Sequence, residues 1–434
     1  MLEDIINIVF AGHVDHGKST LVGRIFYECG QIPDQMFERL QRHADAVGKS
    51  SFHFAFYTDS TLEERQRGIS IEVAYKGFER NGRRYNIIDV PGHKDFIKNM
   101  ISGTAEADIA VLVIDAKETS NSGAAPQTRE HLLILRALGI ENMIVAVNKM
   151  DTVGYSEESF ELCKMEIEHF CERIQYSFKE DIRFIPISAL YGDNVAQHTE
   201  NPSWYQGPTL LEVLDSIPKP ERPVEKPLRM PILRTFSVTG IGTVVAGRIE
   251  TGTIQPKDEV VITPYPGVGV IQAEIKSIEW QHKSVDSAAA GDDVGVLLTK
   301  QEKGFAARKV KKGSVLASPV NPPRAAGRFK AEIMLVDHPS GIRAGYVPYL
   351  HVHQAAMPCS ISEIVTAWDP QGEEKKLDDD TLLKNGDTAV VWIVPTKPLV
   401  IEEANVNPRL GNFILRDGRT VAIGKCLEVE LADI

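Results

Sequence analysis

The sequence predicts an α/β domain, with a mostly parallel sheet covered by helices on both faces, followed by two β-barrel domains. In the first half, short apolar runs alternate with helical patterns, which is typical of a parallel sheet. A proline-rich stretch follows, and the second half consists of short β-rich runs separated by Gly and Pro. The length of 434 residues agrees with about three domains of roughly 150 residues each.

The first half contains five runs that read as buried strands. They are Asn7–Gly12, Tyr85–Asp89, Ile109–Asp115, Met143–Asn148 and Arg183–Ser188. Helical patterns lie between them, for example over Gln127–Leu138 and Ser156–Glu172. We therefore assign residues 1–217 to the α/β domain.

Residues 218–227 contain four prolines and are predicted to form a stiff, extended linker. Short β-rich runs begin beyond it, at Gly242–Glu250, Glu259–Thr263 and Ala273–Ile278. A second break, Val320-Asn-Pro-Pro-Arg324, divides this half. We assign one barrel to residues 228–320 and the other to residues 321–434.

Composition excludes several classes of protein. With 43% hydrophobic and 25% charged residues the chain can bury real cores, and no run of about 18 apolar residues predicts a membrane span. The N-terminus has no signal-peptide pattern, and the five cysteines form no Cys-x-x-Cys pair, so we expect a cytoplasmic protein without disulfides or a zinc module.

The net charge of −12 is concentrated in residues 1–220, which carry −11, whereas residues 221–434 carry −1. This balance disfavours indiscriminate nucleic-acid binding but leaves room for a local basic patch in the second half.

A phosphate-binding loop is predicted directly after the first strand. Residues 12–19 match G-x-x-x-x-G-K-[ST], so backbone N–H groups can surround phosphate oxygens at a helix N-terminus. Lys18 would reach the β- and γ-phosphates, and the hydroxyl of Ser19 would bind Mg²⁺. The predicted nucleotide-binding residues here are Gly12, His13, Val14, Asp15, His16, Gly17, Lys18, Ser19 and Thr20.

Two further motifs follow strands of the same sheet. After Tyr85–Asp89, the carboxylate of Asp89 can hold Mg²⁺ through water and Gly92 can offer its N–H to a γ-phosphate; this segment comprises Asp89, Val90, Pro91, Gly92 and His93. After Met143–Asn148, Asp151 can accept hydrogen bonds from N1 and the 2-amino group of guanine, which adenine lacks.

The rest of the base site is predicted around Asp151. Asn148 would donate to the base, and Lys149 and Met150 complete that loop. Ser188, Ala189 and Leu190 would present a backbone N–H to the guanine oxygen. The predicted ligand is therefore GTP or GDP with Mg²⁺.

With these motifs in order, the chain resembles translational GTPases of the elongation factor Tu / elongation factor 1-alpha family, nearest the archaeal and eukaryotic branch. Besides the loops above, the resemblance rests on Asp59 with Glu64–Ile71, Phe96–Met100, Thr239–Val244, Gly345–Pro348 and His351-x-His353. It covers nearly the whole chain and implies a P-loop GTPase domain that hydrolyses GTP to GDP and phosphate.

The resemblance also implies the roles of the catalytic residues. Ser70 stands where the family has Thr and would coordinate Mg²⁺ through its hydroxyl. His93 would orient or electrostatically assist the attacking water, and Val14 and Ile69 match the apolar pair that screens this histidine. Phosphoryl transfer needs such positioning and charge neutralisation more than covalent help.

The resemblance implies delivery of aminoacyl-tRNA to the ribosome, recharging by a guanine-nucleotide exchange factor, and a monomer. Candidate tRNA contacts are Arg308, Lys309, Lys311, Lys312, Arg324 and Arg328. Asp293, where the family has Asn, and Lys94 favour an alternative, a GTPase that carries a release or rescue factor. A third reading, the regulatory GTPase subunit of a sulfate-adenylating enzyme, is disfavoured by Asp15-His16-Gly17-Lys18, since that subfamily usually has Asp-Asp-Gly-Lys.

Overall fold

The structure is a computed structural model that describes most of the chain. The described residues are 5–46, 48, 53–58, 74–90, 100–101, 104, 107–174, 176, 182–218, 222–238, 242–280, 283–299, 305–378 and 381–432. The chain divides into two compact units, of which the first comprises residues 1–136 and 140–220 and the second contains residues 221–434.

A six-stranded sheet forms the centre of the first unit. Its strands are β1 (Ile5–Ala11), β2 (Ala74–Arg80), β3 (Arg83–Asp89), β4 (Ile109–Asp115), β5 (Asn142–Asn148) and β6 (Arg183–Pro186). They lie in the order β2-β3-β1-β4-β5-β6, and every neighbouring pair is parallel except the antiparallel edge pair β2–β3. The predicted fold class, with its mostly parallel sheet, is confirmed.

Helices cover both faces of this sheet. They are α1 (Lys18–Glu28), α2 (Asp34–Ala46), α3 (Ala55–Thr58), α4 (Ala116–Ser122), α5 (Pro126–Ala137), α6 (Glu157–Arg173) and α7 (Leu210–Ser216). Side chains of α1 and α7 pack with alternate β1 residues, such as Ile8 and Phe10, in one core. Val9, which points to the opposite face, is also fully buried, so β1 is covered on both sides.

Local capping explains where several of these helices begin. Ser156 accepts a hydrogen bond from the amide of Ser159 at the start of α6. Thr209 and Glu212 form a reciprocal capping box at the start of α7. Each cap satisfies amides that the first helical turn leaves without a partner.

The second unit contains two antiparallel barrels. The first is built from β7 (Arg229–Val238), β8 (Gly242–Arg248), β9 (Thr253–Ile254), β10 (Glu259–Tyr265), β11 (Gly269–Trp280), β12 (Lys283–Val285), β13 (Ala288–Ala289), β14 (Asp293–Thr299) and β15 (Val315–Ala317). The second is built from β16 (Ala325–Leu335), β17 (Tyr349–Val352), β18 (Ala355–Trp368), β19 (Thr388–Pro395), β20 (Leu399–Val400), the short helix α8 (Pro408–Gly411), β21 (Asn412–Asp417) and β22 (Arg419–Leu431).

Strand pairing closes each barrel. In the first, the order β10-β15-β7-β8-β14-β11 is closed by pairing of β10 with β11. In the second, β19-β18-β17-β21-β22-β16 is closed by pairing of β16 with β19. Burial alternates along strands such as β19, so one face fills the barrel core and the other faces outward.

The two barrels contact each other through apolar and charged groups. Val261, Val315 and Ala317 of the first barrel cluster with Val400 and Leu410 of the second. The C-terminal part of the predicted linker is bonded to this unit: Lys226 Nζ donates to the carbonyl of Val406 at 2.7 Å, and Arg222 Nη1 to that of Ala290 at 2.9 Å. Residues 222–227 are therefore anchored rather than a free spacer, while the domain boundaries given above stay predictions.

Candidate nucleotide-binding site

The described parts of the predicted nucleotide-binding motifs lie at one edge of the sheet. Parallel pairing places Phe10 opposite Asp89, Asp115 opposite Asn148, and Val147 opposite Pro186, so these strands end side by side. The loops that follow β1, β5 and β6 therefore start from neighbouring points, which is where open α/β sheets bind ligands.

Glycines shape the loop between β1 and α1. Gly12 has a φ of 143°, and a Cβ atom there would lie 2.2 Å from the carbonyl oxygen of Val113. Gly17 has a φ of 90°, and a Cβ atom there would lie 2.4 Å from Nδ2 of Asn148. Both positions thus require glycine for conformation and for space.

Lys18 is buried at the first position of α1 and is only 6% exposed. Its Nζ donates to the carbonyl oxygens of Gly12 at 2.9 Å and His13 at 2.8 Å. Burial lowers the pKa of Lys18 to about 8, although Asp89 and Asp15 favour the charged form. An anionic oxygen at this ammonium would offset its desolvation, so the arrangement suits a phosphate group.

The other predicted residues of this loop differ in exposure. Val14, Ser19 and Thr20 are half-buried, whereas Asp15 is exposed with a φ of 63°. Val90 is fully buried directly after β3.

Asn148 joins three segments of the predicted site. Its Nδ2 donates to the carbonyl oxygen of His16 at 2.8 Å, and its Oδ1 accepts from the amide of Ala189 at 2.9 Å. The hydroxyl of Ser188 donates to Oδ1 of Asp151 at 2.7 Å. The structure therefore brings the loop after β1, the loop after β5 and the loop after β6 together.

The loop after β5 has a constrained backbone. Lys149 adopts the left-handed conformation, with a φ of 60°, and is followed by a 3₁₀ turn over Met150–Val153. Met150 is buried, which anchors the turn, while Asp151 and Leu190 are half-buried. A non-glycine residue at positive φ is uncommon and is concentrated at functional sites.

Sequence reasoning missed two side chains that hold these loops. The fully buried His131 of α5 accepts a hydrogen bond at Nδ1 from the amide of Gly12 at 2.9 Å, and burial lowers its pKa well below the usual value. Arg24 of α1 donates through Nε to the carbonyl of Ala189 at 3.1 Å and through Nη2 to that of Leu190. Neither residue belongs to a local motif, and the one weak signal is a histidine within the apolar run of α5.

Ser19 and Asp89 supply oxygen donors of the kind that Mg²⁺ prefers. Asp89 ends β3 and is only 2% exposed. No group of three or more His, Cys, Asp or Glu side chains within the described ranges is arranged to hold a metal ion. Mg²⁺ at nucleotide sites takes few protein ligands besides phosphate and water, so these two residues fit that ion.

Five predicted site residues fall in parts of the chain that the structure leaves undescribed. They are Ile69, Ser70, Pro91, Gly92 and His93. Their assignments stay predictions.

Comparison with protein families shows to which family the chain belongs. The family model of the elongation factor Tu GTP binding domain matches residues 3–220, that of elongation factor Tu domain 2 matches residues 242–317, and that of the GTP-eEF1A C-terminal domain-like family matches residues 328–427. The chain belongs to the elongation factor Tu / elongation factor 1-alpha family, in its archaeal-type branch. It is a translation elongation GTPase and binds guanine nucleotides, as predicted.

Relatives match this elongation GTPase over nearly its whole length. Elongation factor 1-alpha of Methanocaldococcus jannaschii is 44% identical, and 98% of each chain is covered. Elongation factor 1-alpha of Thermoplasma acidophilum is also 44% identical, with the same coverage. Among solved structures, the GTP-bound Ski7 GTPase-like domain of S. cerevisiae has a TM-score of 0.80 at 20% identity, covering 97% of each chain, which shows a shared fold.

Within the described parts of this chain, no helix combines the length and the apolar character needed to cross a membrane.

Proposed function

We propose that this elongation GTPase carries aminoacyl-tRNA to the ribosomal A site in its GTP form and releases it after hydrolysis. The observation that carries the proposal is the 44% identity to two proteins named elongation factor 1-alpha, with 98% of both chains covered. The proposal includes a cytoplasmic monomer that a guanine-nucleotide exchange factor recharges.

On the nucleotide side, the proposal gives each loop one task. Lys18 and the amides of residues 12–17 bind the phosphates, while Asp151 and Asn148 read guanine beside the Ser188–Leu190 loop. Ser19, Ser70 and, through water, Asp89 would hold Mg²⁺, which neutralises phosphate charge when bound. His93 orients the attacking water, and Val14 and Ile69 screen it.

On the tRNA side, the predicted basic contacts differ in their surroundings. Arg308, Lys309 and Lys311 are exposed together on and beside a 3₁₀ turn, Ala307–Lys309, of the first barrel. Arg328 instead makes two hydrogen bonds to Glu430, at 2.5 and 2.8 Å. The first group is therefore better suited to contact phosphates, because no carboxylate within the described residues pairs with its charges in this way.

The carboxylate of Asp293 is no argument against tRNA binding, because Asp293 faces a cationic residue on the neighbouring strand. It begins β14 directly opposite Arg248 of β8. Opposite charges at facing positions of an antiparallel pair attract each other, so Arg248 offsets part of the negative charge of Asp293.

A filter-binding titration of the GTP-loaded protein tests the proposal with aminoacylated and deacylated tRNA. We expect preference for the aminoacylated form. Replacing Arg308 and Lys309 by Ala should weaken binding and reduce the slope of log affinity against log salt by roughly two. The matched control replaces the exposed Lys376 and Lys384 of the second barrel by Ala and should leave both quantities unchanged. Equal binding of both tRNA forms would overturn selective delivery of aminoacyl-tRNA, and no binding of either form would favour a protein cargo.

A further inference from the structure

The short helix α4 contacts both halves of the nucleotide site. Its N-terminal cap, Asp115, places Oδ2 at 2.9 Å from Nζ of Lys149 in the loop after β5. Glu118, in its first turn, places Oε2 at 3.1 Å from Nε2 of His16 in the loop after β1. One seven-residue helix thus connects the segment assigned to the base with the segment assigned to the phosphates.

Asp115 is a well-fixed carboxylate. Its Oδ1 accepts from the amides of Lys117 at 2.9 Å and Glu118 at 3.0 Å, while Oδ2 faces Lys149. Burial disfavours its charge, but the amide of Glu118 and the ammonium of Lys149 outweigh burial and lower the pKa of Asp115. The carboxylate therefore stays ionised and holds the Lys149 side chain in one position.

The side chain of Lys149 needs a partner such as Asp115 to keep one conformation. Its side chain is 36% exposed, and a free lysine side chain samples many rotamers. The backbone of Lys149 is already fixed at a positive φ. Asp115 therefore determines the direction of the flexible side-chain stem. A stem that is fixed before the nucleotide arrives loses less entropy on binding.

Both ring nitrogens of His16 face oxygen acceptors. Nδ1 lies 3.3 Å from the carbonyl oxygen of Val113, and Nε2 lies 3.1 Å from the carboxylate of Glu118. The ring is almost completely buried, and the carbonyl of the same residue accepts the hydrogen bond from Asn148. Glu118 therefore restrains the residue at which the two loops already meet.

We propose that Asp115 and Glu118 are positioning residues for nucleotide binding. Asp115 fixes Lys149 where its stem covers the base, and Glu118 fixes the phosphate loop at His16. Helix α4 thereby couples the order of one loop to that of the other. The inference rests on the proposed binding of GDP and GTP by these loops.

A double-mutant cycle tests the first half of the proposal, the role of Asp115. Affinity for fluorescent GDP is measured on the full chain. Asp115→Asn keeps a good N-cap residue but removes the charge that holds Lys149. We expect roughly five-fold weaker GDP binding, the size of a half-buried ion pair. In a Lys149→Ala background the same change should have almost no further effect. Equal effects in both backgrounds would mean that Asp115 acts on helix structure only, and would overturn the inference.

The second half of the proposal, the role of Glu118, is tested by replacing that residue, which leaves the N-cap Asp115 unchanged. Glu118→Ala should speed GDP dissociation several-fold, whereas Glu118→Gln, which can still accept a hydrogen bond from His16, should recover part of this loss. The matched control is Glu161→Ala, which changes an exposed glutamate of α6 and should leave the rate unchanged. Identical rates for Glu118→Ala and the control would refute this role.

The two proposals fail in different ways. If Lys149→Ala itself leaves GDP affinity unchanged, the assignment of this loop to the base is wrong. If Lys149→Ala weakens binding while Asp115→Asn does not, only the positioning role is wrong.

Discussion

Two buried cations in different regions of the molecule have very different surroundings. Lys18 in the first unit and Arg229 in the second are each 6% exposed. The bonds of Lys18 go to two backbone carbonyls. Arg229 instead bonds the carboxylate of Glu402 at 2.6 Å, the carbonyls of Leu228 and Asn321 at 2.9 Å, and the Asn321 side chain at 3.3 Å.

The difference separates a binding group from a structural one. A buried charge is costly unless it is paired, so Arg229 with its carboxylate joins the two barrels in a stable way. The hydrogen bonds of Lys18 within the described residues go to backbone carbonyls, and burial lowers its pKa to about 8 although Asp89 and Asp15 favour the charged form. A perturbed buried cation beside a loop at the edge of the sheet indicates a site that is completed by an anionic ligand.

The largest expected effect is on Lys18. Lys18→Ala should weaken GDP binding by about 4 kcal/mol, roughly a thousand-fold, because two or more charge-assisted contacts to phosphate are lost. The nucleotide-free protein should be no less stable, since the variant also removes a desolvated charge. Titration with fluorescent GDP and thermal unfolding without nucleotide measure these two quantities.

The control for Lys18 is Lys117→Ala, which changes an exposed lysine of the same unit and should bind GDP normally. A loss of less than ten-fold for Lys18→Ala would break the contrast with Arg229, because Lys18 would then be a structural cation as well.

Arg229 should show the opposite pattern. Arg229→Met leaves Glu402 without its main partner and should destabilise the second unit by about 3 kcal/mol, with GDP affinity unchanged. Replacing both residues, as in Arg229→Met with Glu402→Leu, should restore part of the stability because no charge is left uncompensated. Urea unfolding of the three proteins checks this; a double variant as unstable as Arg229→Met would argue against the pairing.

Those parts of the structure that depend on local patterns could be predicted from the sequence. The residues of the phosphate loop and the ends of β3, β4 and β5 follow from local patterns, since glycine spacing and apolar runs act over a few residues. Strand β6 ends at Pro186, two residues before the predicted end, because Ser188 turns to bond Asp151. The antiparallel edge strand β2 carried no such signal.

Partners distant in the sequence were not predictable in the same way. His131 reaches Gly12 across 119 residues and Arg229 reaches Glu402 across 173. The choice of such partners depends on how the strands and helices pack, which no local pattern specifies. The sequence therefore indicates which loops are expected to bind the nucleotide, whereas only the structure shows which side chains hold those loops.

A buried histidine in the second barrel extends the comparison to pH. His353 donates from Nε2 to the carbonyl of Val400 at 2.9 Å, and burial lowers its pKa to about 4 from a usual value of 6.5. Between these values the unfolded chain binds a proton that the folded chain does not, so stability falls as pH falls through this range. From pH 6.5 to 5 the loss should be about 2 kcal/mol.

His353→Gln removes this proton uptake and can still donate to Val400. Its unfolding midpoint should therefore fall less steeply than that of the wild type between pH 6.5 and 5. Parallel slopes for this variant and the wild type would show that His353 does not titrate in this range.

The smallest expected effect concerns a hydroxyl rather than a charge. Ser188 donates to Asp151 at 2.7 Å, whereas Ser216 donates to the carbonyl of Val213 at 2.7 Å at the end of α7. Ser188→Ala should weaken GDP binding by about 1 kcal/mol, roughly five-fold, because the carboxylate proposed to read guanine loses the bond that orients it. Ser216→Ala removes a bond of equal length away from the site and should leave GDP affinity unchanged. If both variants bind GDP equally well, the orientation of Asp151 is set by the backbone of its loop. The contrast between binding and structural groups would then hold for charges but not for hydroxyls.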